Sequence, residues 1–446
     1  MKKRFLLLAG VLAASVAAVG PAQAAEPDEP VTPQDAKYLL SLDSDATGAN
    51  WSGTQTVTFR NKSDRTMDTL WIRLWGNGRG GCDDRAVSIE PRFGGELGAE
   101  TVDCTAVPIE LTRPVPAGRT GMVSVDVDIA VPEETYRFGR AGDYRFIGNA
   151  IPVLAVHDGT GELPPFTSFG ESFYTLESDF LVTLDHPNAV KVPATGRSIA
   201  EVKHGKNTTT VIKANNVRDF AWAAGPFAKV DTVSATGAKL RTWYPGDIDK
   251  AKAEEVTGWV KEGMDTFDAA YGEYPYSEMD TVIGDWEGFA GMEYPGFILT
   301  EPAKVPAVHE AGHQWFYGLV GNDQYNDPWL DESVTQYMTN TITGVPGYCA
   351  TAPFWFSDGM RIDAGMDYYN EHIEDEYAPA IYGDGACMLA ELETTIGKPA
   401  MDEALRTAVA EFSGGVITSD ELRGIFAEVS GQDLSAFWER WRNTGA

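Results

Sequence analysis

The sequence is poor in histidine, in cysteine and in positive charge. Only 6 histidines and 4 cysteines occur among 446 residues, and 35 Lys and Arg stand against 66 Asp and Glu, for a formal net charge of −31. Such an acidic surface repels polyanions, so we expect neither nucleic acid nor an anionic membrane as a partner. No two cysteines have the close spacing of a metal-binding cysteine pair, which argues against a cysteine-based metal site.

Long apolar runs are also missing, except at the amino terminus. Three basic residues at positions 2–4 precede an apolar stretch at 5–19, and Ala-Gln-Ala at 22–24 follows it. This pattern is typical of a secretory signal peptide, here residues 1–24, that is cleaved after Ala24. The run is shorter than the roughly 20 residues that a membrane-spanning helix needs. We therefore expect a secreted, extracellular protein that does not bind membranes.

The four cysteines allow three disulfide pairings in an oxidising compartment. The pairs Cys82 with Cys104 and Cys349 with Cys387 close the shortest loops. A sequence does not distinguish disulfide-bonded cysteines from free cysteines buried in a core, so both interpretations stay open.

Hydrophobic periodicity divides the chain, whose length exceeds that of a single core, into two domains. Segments 53–61, 122–131 and 179–185 alternate apolar and polar residues, as strands do. Past residue 228 the period becomes helical. We expect an α+β protein with an antiparallel β-domain at 27–227 and a mainly helical domain at 228–446. One predicted helix lies within 251–275 and is ended by Gly272 and Pro275. Others lie at about 308–319, 329–341, 385–396 and 401–412, with a last one after the capping pair Thr418 and Glu421.

Two of the six histidines fall four residues apart within the sequence HEAGH. On a helix, His309 and His313 share one face and can bind a single ion, with Glu310 beside them. Glu332 follows after eighteen residues as a third ligand. Two histidines and one carboxylate leave the fourth position open, which is typical of a catalytic zinc site with one ion. The alternative is a core helix with two satisfied histidines; no other pair has this spacing among His157, His186, His204 and His372.

The segments HEAGHQWFYGLVGND and WLDES resemble the aminopeptidase N family of gluzincin zinc metallopeptidases, and the resemblance extends over nearly the whole chain after residue 24. It implies a thermolysin-like zinc peptidase domain that acts on peptides or proteins. It also implies roles for the residues of the motif. Zinc on His309, His313 and Glu332 would activate water, with Glu310 as the general base.

The segment GFAGMEYPG resembles the family's Gly-x-Met-Glu-Asn motif. Gly291, Met292 and Glu293 keep its central part, whereas Ala290 and Tyr294 replace the usual Gly and Asn. The resemblance implies a sheet edge along which a peptide lies as an added strand, with Glu293 binding the free α-amine. A glycine-rich turn with a solvated glutamate is the alternative.

The segment AIYGDGACM resembles the family's tyrosine segment, with Asp384 in place of the usual Lys. The resemblance implies that the Tyr382 hydroxyl donates to the oxyanion of the tetrahedral intermediate. Tyr368, Tyr369 and Tyr377 compete for this role.

Four acidic residues near these segments are weaker candidates. Glu171, in the β-domain, lies where relatives reach toward the substrate amine. Asp331 replaces a usual Asn and is either a neighbour of the metal ligands or solvated. Asp323 and Asp327 are expected to be loop or helix-cap residues.

The chain ends at DLSAFWERWRNTGA, which resembles the end of the family's catalytic domain, without the C-terminal helical domain of longer members. The resemblance therefore implies an open cleft. The favoured interpretation is a secreted zinc aminopeptidase. The two alternatives are a zinc endopeptidase and an exported binding protein on an inactive peptidase fold. Nothing in the sequence specifies an oligomeric state.

Overall fold

The computed structural model describes residues 31–157, 163–353, 360–371 and 374–445. The expected signal peptide at 1–24 and His372 lie outside the described residues. The strands are β1 Gln34–Ser44, β2 Asn50–Arg60, β3 Met67–Arg73, β4 Val87–Phe93, β5 Gly95–Leu97, β6 Ala106–Val115, β7 Thr120–Ala130, β8 Phe138–Ala141, β9 Tyr144–Ile147, β10 Val153–Leu154, β11 Ser178–Pro187, β12 Arg197–His204, β13 Asn207–Val217, β14 Trp222–Ala224, β15 Ala228–Val233, β16 Lys239–Tyr244, β17 Glu278–Ile283, β18 Gly291–Met292 and β19 Phe297–Thr300.

Helices occur mainly in the second half of the described chain. They are α1 Lys250–Tyr271, α2 Lys304–Gly312, α3 Glu332–Thr343, α4 Met366–Glu371, α5 Glu374–Ala378, α6 Gly385–Ile396, α7 Lys398–Phe412, α8 Ser419–Ser430 and α9 Ser435–Arg440, with 3₁₀ turns at Trp75–Asn77 and Gly347–Thr351 and a π-helical turn at Pro379–Asp384. A β-domain followed by a helical region confirms the predicted α+β class. No described helix is both long and apolar enough to cross a bilayer.

Three sheets build the β-domain. The largest has seven strands in the order β12-β13-β11-β1-β2-β7-β4, and it contains all three of the alternating segments. Leu40, Val57 and Val182 are buried along one face of this sheet. The described strand pairs of this domain are antiparallel, as expected, except that β1 pairs in parallel with β11, Tyr38 opposite Phe180. These two strands are distant in sequence, so no hairpin imposes an antiparallel pairing on them.

The helical domain also contains a sheet, with the order β15-β16-β17-β19-β18. Helix α1 packs on it through a buried face that includes Val256, Val260 and Phe267, as its spacing predicts. β17 is buried along its whole length, and β18 is an edge strand. The sheet therefore ends next to α2, which carries the two spaced histidines.

Three predicted helices have different bounds in the structure: α7, which begins at Lys398, and two helices next to the histidine motif. Helix α2 begins at Lys304 and ends at Gly312, because a tight turn follows in which the Trp315 amide bonds to the Gly312 carbonyl at 3.0 Å. Helix α3 begins at Glu332 rather than near Trp329. Helix α6 has the predicted bounds, and α8 has the capping box expected of Thr418 and Glu421.

The structure forms two disulfides, Cys82–Cys104 and Cys349–Cys387, and the described residues include no free cysteine. The second bridge joins the segment after α3 to α6. It thereby links two parts of the chain on either side of the tyrosine-rich region.

A buried apolar cluster joins the two domains. Phe146 and Phe227 from the β-domain pack with Trp286, Tyr294 and Leu299 from the second domain. The Tyr294 hydroxyl crosses the junction and donates to Oδ1 of Asn149 at 2.9 Å. The cluster positions β18 and the loop after it between the domains.

Candidate metal centre and active site

Helix α2 is buried from Ala307 to its end, and its contact with α3 is close. A methyl group on Gly312 would come within 2.9 Å of Cγ2 of Thr335 on α3. The missing side chain allows the two helices to approach each other at this point. As a result, Glu332 in the first turn of α3 lies beside the histidines of α2.

The three predicted metal ligands converge. Nε2 of His309 lies 3.0 Å from Oε2 of Glu332 and 3.0 Å from Nε2 of His313, which in turn lies 3.2 Å from the same carboxylate oxygen. Ligand bonds of about 2.05 Å in a tetrahedral zinc site place donor atoms about 3.3 Å apart. The spacing and the mixed nitrogen and oxygen donors thus fit a zinc ion. We call His309, His313 and Glu332 the metal triad.

Hydrogen bonding orients His313 for this role. Its Nδ1 lies 3.0 Å from the Phe316 carbonyl oxygen and 3.3 Å from Oγ1 of Thr335. A carbonyl can only accept, so Nδ1 carries the proton and Nε2 presents its lone pair to the triad. Burial lowers the pKa of His309, whereas the Glu332 carboxylate outweighs burial and raises the pKa of His313.

Glu310 faces the same space but is not part of the triad. Its carboxylate packs against the backbone of Gly291, where a Cβ atom would lie only 2.3 Å from Oε1. Oε2 is buried and has no hydrogen-bond partner among the described residues. Burial raises the pKa of this carboxyl well above its ordinary value. Such a group is suited to taking up a proton.

Strand β18 lies along the wall of this space. Gly291 and Met292 pair with Thr300 and Leu299 of β19 on one side only, because β18 is the last strand of its sheet. Gly291, Glu293, Glu310 and Glu332 line one cavity of about 480 Å³. An extended peptide could therefore pair with the free edge of β18.

A second group of carboxylates lies beside the triad. Oxygen atoms of Glu171, Glu293 and Asp331 lie within 4.8 Å of one another, and all three side chains are buried. We call these three residues the acidic cage. The Gln324 amide nitrogen donates to all three, at 3.1 Å to Glu293 and 2.8 Å to Asp331. Arg137 forms an ion pair with Glu171 at 2.5 Å.

Burial of several like charges shapes the electrostatics of the cage. It raises the pKa of Glu293 and of Asp331 to about 7 each, and the pKa of Glu171 well above its ordinary value. One arginine offsets three carboxyls. The cage is thus suited to a cationic group such as an ammonium ion.

The comparisons with known proteins agree with this geometry. Residues 257–441 match the peptidase family M1 domain. This segment, which contains all three residues of the metal triad, is therefore similar to a peptidase family M1 domain. It is 23% identical to mouse aminopeptidase B over 359 residues, which cover 70% of this chain and 53% of the mouse protein. It is 30% identical to aminopeptidase N of Lactococcus lactis subsp. cremoris strain MG1363 over 150 residues, 30% of this chain and 18% of that protein.

The fold of the chain has a counterpart among solved structures. The crystal structure of a two-domain M1 zinc metallopeptidase variant bound to L-arginine superposes with a TM-score of 0.68 at 16% identity, covering 94% of this chain and 96% of that one. The likeness shows a shared two-domain fold. The curated relatives are longer, and this chain spans about half the length of mouse aminopeptidase B.

Two of the four candidate tyrosines line the cavity of the M1 domain. Tyr382 lies on the π-helical turn before α6, with its ring 5.7 Å from that of His309, and Tyr377 lies beside it. Burial raises the pKa of Tyr382, so its hydroxyl stays a proton donor. Tyr369 instead points its hydroxyl toward the Arg361 carbonyl, and neither it nor Tyr368 lines this cavity.

The weaker acidic candidates fall into two groups. Glu171 and Asp331 lie in the cage, where Asp331 is buried and also accepts from Nδ2 of Asn322 at 2.9 Å, so it is not solvated. Asp323 accepts from the amides of its own loop, and Asp327 from Oγ of Ser419, as expected of loop residues.

Sequence reasoning missed three residues of the M1 site altogether. Gln324 connects the acidic cage, and Arg137 balances part of its charge. Gln314, which follows His313, accepts from the Gly296 amide at 2.8 Å and donates to the Tyr294 carbonyl at 3.2 Å, which holds the turn after Glu293. Only Gln314 had a local signal, since it directly follows the histidine motif.

Proposed function

We propose that the protein is an exported, zinc-dependent aminopeptidase that removes N-terminal residues from peptides. One observation carries the proposal: Glu293 of the acidic cage opens onto the same cavity as Glu310 and the metal triad. A buried carboxylate at the end of a peptide-binding edge favours a substrate with a free ammonium group. The known names of the relatives, aminopeptidases B and N, support the same reaction.

The chemistry divides among the residues of the cavity. His309, His313 and Glu332 would hold one zinc ion, which would supply Lewis acidity toward water and the scissile carbonyl. Glu310 takes the proton of the attacking water and delivers it to the leaving amine. Tyr382 donates a hydrogen bond to the developing oxyanion. Glu293 pairs with the substrate ammonium and so places the first peptide bond next to Glu310.

Export is part of the proposal. Residues 1–24 have the three-part pattern of a signal peptide, and two disulfides are typical of a protein that folds in an oxidising compartment. The amino terminus of the protein isolated from culture medium, read by mass spectrometry, should be Ala25. An intact Met1 on a protein retained in cells would contradict export.

The activity is tested with peptides that differ only at the amino terminus. The chain from Ala25 is incubated with matched pools of free and N-acetylated peptides, and mass spectrometry follows the products. We expect stepwise loss of single residues from the free pool alone. A chelator and the Glu310→Gln variant should both abolish it, whereas Glu254→Gln, at an exposed glutamate on α1, should not.

Two other results would contradict the proposal. Internal cuts in both pools would make the protein an endopeptidase and remove the amine-binding role of Glu293. No cleavage by a folded, zinc-loaded protein would favour a binding protein on a peptidase fold.

A further inference from the structure

A strained turn follows the zinc-binding helix. Tyr317 has φ of +119°, a region that residues with bulky side chains rarely adopt. Its amide donates to the Val320 carbonyl at 2.9 Å, which closes the turn. Backbone strain of this kind persists only where surrounding contacts hold it, and it is frequent at functional sites.

The β-domain holds Tyr317 at two points. Nε of Arg218 donates to the Tyr317 carbonyl at 2.7 Å, and the Tyr317 hydroxyl donates to Oδ2 of Asp219. All three residues are buried. Both the backbone and the ring of Tyr317 are therefore fixed by two consecutive residues that follow β13.

Arg218 ties this turn to two other segments. Its guanidinium also donates to the carbonyls of Thr175 and Leu319, each at 3.2 Å, and to the carbonyl of Gly415. Gly321 makes room for it, since a Cβ atom there would lie 2.1 Å from the guanidinium carbon. The fork of an arginine suits several acceptors at once, whereas a lysine offers one ammonium group.

The strained dihedral acts directly on a metal ligand. The peptide group between Phe316 and Tyr317 carries the carbonyl that accepts from Nδ1 of His313 at 3.0 Å. The φ angle of Tyr317 is the rotation between this peptide group and the rest of Tyr317. Because the ring and the carbonyl of Tyr317 are held, the angle sets where the Phe316 carbonyl points. Relaxation to a negative φ would rotate that carbonyl away from His313.

We propose that Arg218 and Asp219 are positioning residues for His313: by holding Tyr317 in its strained conformation, the β-domain keeps the Phe316 carbonyl on the imidazole and Nε2 free for the metal. The inference rests on the proposed function in that it takes His313 to be a zinc ligand. Bonds to the second nitrogen of a ligating histidine typically change metal affinity by 10- to 100-fold.

Zinc affinity of the purified protein, measured by competition with a chromogenic chelator, tests the proposal directly. We expect Arg218→Lys and Tyr317→Phe each to raise the zinc dissociation constant by about tenfold. In steady-state kinetics with saturating zinc, kcat should fall while KM for a free peptide stays the same, because neither residue lines the cavity. In the cobalt-substituted protein, the visible absorption band should shift.

Arg241→Lys is the matched control. Arg241 is a largely buried arginine on β16 that pairs with Asp280 at 2.5 Å, and Asp280 accepts from the Ala194 amide of the β-domain at 3.1 Å. The side chains of this junction bond to residues of β16, β17 and the segment before β12. The control should lose stability to urea, as Arg218→Lys does, but keep the zinc affinity and cobalt spectrum of the wild type.

Two results would overturn the proposal. One is an unchanged zinc dissociation constant, within twofold, in Tyr317→Phe and in any Arg218→Lys that folds. The other is an equal loss of affinity in Arg241→Lys, which would make the effect one of general stability. If Arg218→Lys does not fold, Tyr317→Phe decides alone, since it removes a single hydroxyl group. A wild type that binds zinc but cleaves no peptide would defeat the proposed function and leave this comparison valid.

Discussion

The metal triad and the acidic cage lie side by side but arise in different ways. The triad comes from two helices that are adjacent in sequence, between His309 and Glu332. The cage draws Glu171 from the β-domain, Glu293 from the loop after β18 and Asp331 from the residue before α3. A regular helix therefore accounts for most of the triad, whereas the cage exists only once both domains have packed together.

Their charges differ as well. In the triad two imidazoles surround one carboxylate, and the pKa of Glu332 is held below its usual range by His313 and His309 in spite of burial. In the cage, burial and mutual repulsion raise the pKa of every carboxyl. The first arrangement suits a metal ion, and the second suits a cation such as an ammonium group. The proposed aminopeptidase reaction uses both.

The largest effect on activity is expected at Glu310, which lines the same cavity as residues of the metal triad and the acidic cage. Glu310→Gln keeps the shape of the side chain but removes the proton acceptor, so kcat should fall by about 10³-fold. Zinc content, measured by atomic emission, should be unchanged because Glu310 is not a ligand. The exposed control Glu254→Gln should keep full activity. Activity within tenfold of the wild type in Glu310→Gln would show that another group is the base.

A change in the cage should act on substrate binding instead. Glu293→Gln removes the charge that pairs with the substrate ammonium, so kcat/KM for free peptides should fall by about 10- to 100-fold, mainly through KM. Zinc affinity should stay close to that of the wild type. The preference for free over N-acetylated peptides should shrink at the same time. A fall in kcat with an unchanged KM would assign Glu293 to the chemical step.

The contrast also explains what could be predicted from the sequence. The spacing of His309 and His313 follows from the helical period, and the alternation in β2, β7 and β11 follows from a sheet with one buried face. These patterns depend on neighbours within one element. The end of α2 could not be predicted because it depends on the tight turn that follows Gly312 and not on the period of the apolar residues.

Residues whose contacts cross between the domains are not marked by any periodic pattern in the sequence. Gln324 and Arg137 both lie in loop segments. Their roles depend on contacts with Glu171, which is 153 residues from Gln324 and 34 residues from Arg137. Glu171 itself was suggested by resemblance alone. The role of Tyr317 could not be predicted either, because no sequence rule identifies a tyrosine that is held at a positive φ.

The cage should also cost stability at neutral pH. In the metal-free protein burial raises the pKa of Glu293 to about 7, from an ordinary value of 4.5. Between these values the folded protein binds a proton that the unfolded chain does not, so the free energy of unfolding falls as pH rises from about 5 to about 7. Glu293→Gln should remove this contribution and be more stable than the wild type at pH 7, by about 2 kcal/mol.

Urea unfolding of the metal-free, chelator-treated protein at pH 5 and pH 7 measures this effect. The difference in the free energy of unfolding between the wild type and Glu293→Gln should be larger at pH 7 than at pH 5. Glu254→Gln should follow the wild type at both values. A difference that does not change with pH would mean that Glu293 is already ionised in the empty cavity.

The smallest effect is expected at Tyr294, which replaces the family's usual Asn next to Glu293. Its side chain turns away from the cavity into the junction between the domains, where its hydroxyl donates to Asn149 and lies close to Gly148. Tyr294→Phe should therefore lower the free energy of unfolding by about 1 kcal/mol through the lost hydrogen bond. Its kcat and KM for free peptides should stay within twofold of the wild type. A large change in KM would mean instead that the junction controls the position of Glu293, and that the cage is sensitive to its packing as well as to its charge.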